Sequence, residues 1–134
     1  MDVQAYAQRY VAADVSVADR ERLLLLVLEG GTKFLRLARE RLAAGDVVRF
    51  AEHLARAQAI IAELLGTLDH DAGGAIAGDL ARLYEFMLFH LTEGNAKKSV
   101  QHLDEVERVL ATVADAYHQI IDGRPATVGA GAGA

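Results

Sequence analysis

Between Val47 and Leu68 the apolar positions fall at Phe50, Leu54, Ala57, Ile61, Leu64 and Leu68, at alternating spacings of four and three. With about 3.6 residues per helical turn these positions share one face. The spacing therefore predicts an amphipathic helix over 47–68 with a bundle seam. The same rhythm returns at Leu103, Val106, Leu110, Val113, Tyr117 and Ile120, which predicts a helix over 98–121. Ile76, Leu80, Leu83, Met87 and Leu91 make a stripe on a helix over 74–93, and 20–43 is helical in pattern throughout. Polar and glycine residues punctuate these runs. Asp19 is an N-cap candidate, Gly45-Asp46 breaks the chain with Asp46 capping the next helix, and Asp69 to Gly74 reads as a turn. Gly94-Asn95 reads as a C-cap, and Asp122-Gly123-Arg124-Pro125 as the last stop. No strand-length alternation occurs. Four long helices joined by short turns pack antiparallel to their sequence neighbours. The expected fold is all-α: an antiparallel four-helix bundle over 19–122. A short helical or extended segment precedes it over 1–18. A Gly/Ala-rich tail over 123–134, expected to be disordered, follows it.

Composition narrows the picture. The chain has 134 residues, 52% of them hydrophobic, which is the size of one domain with ample material for one core. Ala, Leu, Arg and Glu favour helix, and Pro125 is the only proline. The net charge is −5 and no basic cluster exceeds two residues, so nucleic acid is not an expected partner. There is no cysteine, which excludes disulfide and thiolate chemistry and fits a reducing cytoplasm. The longest apolar run, Leu23 to Leu28, falls far short of the roughly 20 residues that span a bilayer. Met1-Asp2-Val3-Gln4 carries neither a basic nor an apolar leader region, so no signal peptide is expected.

Candidate chemistry is sparse. A di-iron bundle needs two Glu-x-x-His pairs and two further carboxylates, and this chain has no Glu-x-x-His. Asp115-x-x-His118 and Asp69-His70-Asp71 are isolated, and His53, His90 and His102 stand on separate helices without a spacing rule. Ser16 and Ser99 have no base in their motif. No glycine-rich phosphate loop follows a strand. The expectation is a non-enzyme without metal or cofactor.

A binding signal lies in the first long helix. From Leu26 through Leu37, Gly30, Leu23, Phe34, Val27, Ala38, Gly31, Leu24, Leu42 and Leu35 to Leu28, apolar and small residues fill an arc of about 200°. Two neighbours need about 140° to 160° of it. Leu23, Val27 and Phe34 are expected in the core, and the edge Leu24, Leu28 and Leu35 is expected to be an exposed strip for a partner. Gly30-Gly31 implies close approach of a backbone, from either a bundle helix or a bound chain. A second strip, Ala51, Ala55, Ala59 and Ala62, forms a shallow groove on the next helix. Gln58 beside it bonds either within the bundle or to a bound chain. Tyr6 and Tyr10 lie four apart on a segment too short to be stable alone, which is expected to fold back over the strip and move when a client binds.

These pieces together resemble the FliS family of flagellin export chaperones, from about Tyr10 to Ile121. Tyr10 with Val15 is similar to the family's N-terminal segment. The run from Arg20-Glu21-Arg22-Leu23 through Leu28-Glu29-Gly30-Gly31 to Phe34 resembles its Pro-Glu-x-Leu to Leu-Tyr-Asp-Gly-Ala helix. Arg56-Ala57-Gln58-Ala59-Ile60-Ile61-Ala62-Glu63-Leu64 resembles its Lys-Ala-Gln-x-Ile-Ile-x-Glu-Leu stretch. Leu68-Asp69, Gly73-Gly74, Leu80 to Met87 and Gly94-Asn95 follow in family order, and Tyr117 stands where tryptophan is usual. The chain departs at Asp19-Arg20, where the family has Ser-Pro, and at Leu28, where it has tyrosine. The resemblance implies a cytoplasmic protein that binds the C-terminal segment of flagellin, prevents its premature polymerisation and passes it to the flagellar type III export apparatus. The expected flagellin-contact set, drawn mainly from the strip and groove above, is Tyr6, Tyr10, Val15, Leu24, Leu28, Gly31, Leu35, Ala51, Ala55, Gln58 and Ala62, with a homodimer of the free chain left open. The other reading of the residues is an unrelated helical adaptor or signalling bundle using the same strip.

Overall fold

The computed structural model describes residues 17–123. The segment bearing Tyr6, Tyr10 and Val15, and the tail from 124 onward, lie outside the described residues. Four helices occupy the described chain: α1 (Val17–Ala43), α2 (Val47–Gly66), α3 (His70–Lys97) and α4 (Val100–Gly123). They stand in a square in chain order, with α1 and α3 each beside α2 and α4. This is the antiparallel four-helix bundle.

The turns follow from local chemistry. At the end of α1, Gly45 takes φ +78°. Its N–H bonds to the Leu42 carbonyl, and the Asp46 N–H bonds to that of Arg41. That pairing satisfies the last carbonyls of the helix. The Asp46 carboxylate then accepts from the Arg49 N–H at 3.1 Å and opens α2, as expected. Asp69 opens α3 in the same way, accepting from the Ala72 N–H at 3.0 Å. The expected turn over 69–74 is thus partly helical: one helical turn, then a break at Gly74, whose φ of 53° and ψ of −127° suit only glycine.

Two helix ends differ from expectation. Helix α1 begins at Val17, so Asp19 sits in its first turn and favours it through the helix dipole rather than as a cap. Helix α3 runs past Gly94-Asn95 to Lys97 and closes on Lys98 in the left-handed region. Gly94 is buried inside the helix because α4 starts against it: a Cβ there would lie 2.9 Å from that of His102. Ser99 opens α4, its hydroxyl accepting from the His102 N–H.

The core contains Phe50, Leu54, Ala57, Ile61 and Leu64 of α2 and Leu103, Val106, Leu110 and Val113 of α4, as their spacing predicts. From α1 it takes Leu28, Leu35 and Ala38, and from α3 Tyr84, Met87 and Leu91. Leu23 is buried as expected, and Val27 and Phe34 pack half-buried at the rim.

Candidate partner-binding surface

The expected strip on α1 does not lie on the surface. Leu28 and Leu35 are fully buried, and Leu24 is half-buried. The physical reason is the position of α4. Arg39 lies about 20° around the helix from Leu28, and its guanidinium reaches Asp104 of α4 at 2.6 Å. The Leu28 edge is therefore the face against α4. The opposite edge is the wet one, with Leu26 59% exposed. Gly31 is buried as well, and it meets side chains rather than a backbone: a Cβ there would stand 3.5 Å from Ile60 and 3.7 Å from Leu110. Leu28, Gly31 and Leu35 thus have no surface to offer a partner in this fold.

The α2 strip fares differently. Ala55, Ala59 and Ala62 are exposed and Ala51 is half-buried. The Gln58 amide donates to the Thr92 hydroxyl of α3 at 3.3 Å. Of the two roles open to Gln58, the bond within the bundle is the one seen. Ala51, Ala55 and Ala62 fall within about 60° of Gln58 on the helix, so this small-residue strip borders α3.

Among the described residues, most of the exposed large apolar side chains are on α3, where the expected stripe does not hold. The expected stripe placed Ile76, Leu80, Leu83, Met87 and Leu91 inward. Only Met87 and Leu91 are buried; Leu80 is half-buried, Ile76 is 71% exposed and Leu83 is exposed. The inward face instead runs through Ala77, Tyr84, Met87, Leu91 and Gly94. Rotating the helix to bury Tyr84 turns Leu83, Phe86 and Phe89 outward, Phe89 to 66% exposure. The signal available in sequence was the one-residue offset of Ala77, Tyr84 and Leu91, a heptad that competes with Ile76 and Leu83.

A cavity of about 350 Å³ opens at the end of the bundle. Leu24, Leu68, Ile76, Leu80, Tyr84 and Tyr117 line it. Burial holds the Tyr84 hydroxyl well above the ordinary phenol range, with Tyr117 adding to the effect. Tyr117 is also raised, by burial first and then by Glu21. Both hydroxyls therefore stay neutral, and the cavity offers apolar walls with neutral polar tips.

Elsewhere the rims are closed. The guanidinium of Arg36 pairs with Glu107 at 2.8 Å across α1 and α4. Phe34 stacks on His53 and lies under Arg56 between α1 and α2. Apolar surface remains open on the outward face of α3, at Leu26 of α1, at Val47 and Val48 of α2, along the α2 alanine strip and in the end cavity.

Comparison with known proteins identifies the lineage of this bundle. The model of the family described as "Flagellar protein FliS" matches residues 2–124. The chain belongs to the FliS family. This FliS-family chain is 37% identical over 119 residues to the flagellar secretion chaperone FliS of Salmonella typhimurium, covering 88% of each chain. It is 34% identical to FliSB of Pseudomonas aeruginosa, covering 88% of this chain and 94% of that one. It is 31% identical to the FliS of Bacillus subtilis over 90% of both. The unrelated adaptor reading is thereby set aside. Among the described residues of this FliS bundle, no helix is long and apolar enough to cross a membrane.

A second feature escaped the spacing rules. His90-x-x-Glu93 on α3 and His102-x-x-Glu105 on α4 meet across the antiparallel pair. The His90 and His102 rings stack with centroids 4.3 Å apart, and Phe86 stacks on His90 at 4.9 Å. The hydrogen bond from His90 holds the Glu105 carboxyl below its ordinary range. The motif was overlooked because the order is His before Glu and the halves sit on different helices.

Proposed function

We propose that this chain is a cytoplasmic export chaperone that binds the C-terminal segment of flagellin, keeps it from polymerising, and hands it to the flagellar type III export apparatus. The observation that carries the proposal is the outward apolar face of α3, with Ile76, Leu83, Phe86 and Phe89 exposed on a chain whose relatives are named secretion chaperones. An amphipathic client helix laid against such a face follows the helix-in-groove mode of recognition. Covering the exposed parts of Leu83, Phe86 and Phe89 contributes roughly 2 to 5 kcal/mol by apolar burial. Ordering a disordered client costs about as much. The α3 face alone therefore gives little net affinity. The client must run on over the groove of Ala51, Ala55, Gln58 and Ala62 and into the cavity beside Leu24. In this proposal Tyr6, Tyr10 and Val15, within the family match, also contact the client. Without client, the same α3 face is where a second copy would dock as a homodimer. The work is binding, without catalysis.

The experiment is calorimetric titration of the full chain with the isolated C-terminal segment of flagellin, beside a flagellin polymerisation assay. The expected result is saturable one-to-one binding and suppressed polymerisation. An absence of heat and of suppression contradicts the proposal.

A further inference from the structure

We propose that His90, Glu93 and His102 form a binding site for a divalent transition-metal ion of zinc's chemistry, joining α3 to α4. One donor atom from each of the three residues lies within 4.8 Å of the others. Donors around a tetrahedral zinc stand about 3.4 Å apart, given metal–ligand bonds of about 2.0 to 2.1 Å. All three side chains are half-buried. Binding requires the stacked His90 and His102 rings to turn edge-on to a common ion, and solvent at these half-buried side chains supplies the fourth ligand.

Each of the two imidazoles is held by a hydrogen-bonding neighbour. The Nε2 of His90 lies 2.6 Å from Glu105 Oε1, and its Nδ1 lies 3.9 Å from Glu93 Oε1. The Nδ1 of His102 lies 2.7 Å from the Ser99 hydroxyl, which leaves its Nε2 uncommitted. Each imidazole therefore has one nitrogen tied to an oxygen partner and the other available. Such outer partners fix the tautomer and ring direction of metal-bound histidines. Two imidazoles with one carboxylate suit zinc, nickel or copper, whereas magnesium and calcium take oxygen ligands. Gly94 contributes by letting His102 approach, its absent Cβ leaving room 2.9 Å from that of His102. The site adjoins the proposed flagellin face, since Phe86 of that face stacks on His90, but it needs none of the client's chemistry.

The test is titration of the full chain with zinc chloride in a non-coordinating buffer at neutral pH, followed by the visible spectrum of the cobalt(II) form. One ion per chain and a tetrahedral cobalt spectrum are expected. His102→Gln and Glu93→Gln should each weaken zinc at least tenfold. His70→Gln and His118→Gln, which alter the other exposed histidines, should leave it unchanged. Circular dichroism identifies any variant that has lost its fold; Glu93, half-exposed on α3, is the one suited to survive. Absence of a one-to-one site in the wild type overturns the proposal, as does equal zinc affinity in folded Glu93→Gln.

Discussion

Helices α1 and α3 both carry more large apolar residues than one core face can hold, yet the bundle treats them in opposite ways. On α1, Leu23, Leu25, Leu28 and Leu35 are all buried, and among its described side chains Leu26 is the one large apolar residue prominently exposed. On α3, the core takes Ala77, Tyr84, Met87 and Leu91 and leaves Ile76, Leu83, Phe86 and Phe89 outside. The difference lies in the residues that share the inward face. Helix α1 has leucines on both flanks of its face, and α2 and α4 close over both. Helix α3 commits a bulky tyrosine and two small residues inward, and Gly94 draws it close to α4, so Ile76, Leu83, Phe86 and Phe89 stay exposed. Apolar content thus indicates how much surface must be covered, while the inward residue decides which part the fold covers itself.

The largest effect should come from the core of α1. Leu35→Ala should cost about 2 to 5 kcal/mol of stability by leaving a cavity, read as a shift in the urea midpoint. A shift near zero would mean that α1, like α3, has a free apolar face. Two mid-helix glycines sharpen the contrast next. Gly94→Ala brings a Cβ to 2.9 Å from that of His102, and overpacking of that kind costs about 1 to 3 kcal/mol. Gly31→Ala meets Ile60 and Leu110 at ordinary contact distance, so the gain in helix propensity should leave it neutral or up to about 1 kcal/mol more stable. Equal effects in urea melts would show that the two helices pack alike.

The legible parts of this fold were those with one dominant phase. The stripes of α2 and α4 each have a single large apolar heptad, and the faces fell where their spacing put them as far as Tyr117, Ile120 lying outside the described side chains. On α1 the arc was read correctly but its covered end was reversed, because nothing within that helix tells which side α4 will take. On α3 two heptads compete, and the tyrosine in one of them reads as amphipathic until burial decides. Of the expected contacts, the alanines of α2 are at or near the surface and Leu24 reaches the end cavity. Leu28, Gly31 and Leu35 were misplaced for the reason given by α4. The His/Glu cluster depends on a register between helices that no local pattern encodes.

A smaller effect concerns ionisation. Tyr84 and Tyr117 both have raised pKa values in the fold. A group whose folded pKa is raised stabilises fully below its unfolded value, and that contribution is lost as pH rises through the folded value. Stability should therefore hold up to about pH 10, the free phenol value, and decline above it. Tyr84→Phe should flatten that decline. Tyrosinate absorbance against pH checks it: the signal lost in Tyr84→Phe and in Tyr117→Phe should in each case be one that ionises late, and ordinary titration of both would place them in solvent.

The central claim is that the flagellin segment lies on the outward face of α3. The direct measurement is calorimetric titration of that segment into the Phe86→Glu/Phe89→Glu double variant, beside its thermal unfolding. Both side chains are largely outside the core, so the melting temperature should stay within a few degrees of wild type. Affinity should fall at least tenfold, about 1.4 kcal/mol. A variant that melts normally and binds at full strength would contradict the account and move the client to another face of the bundle.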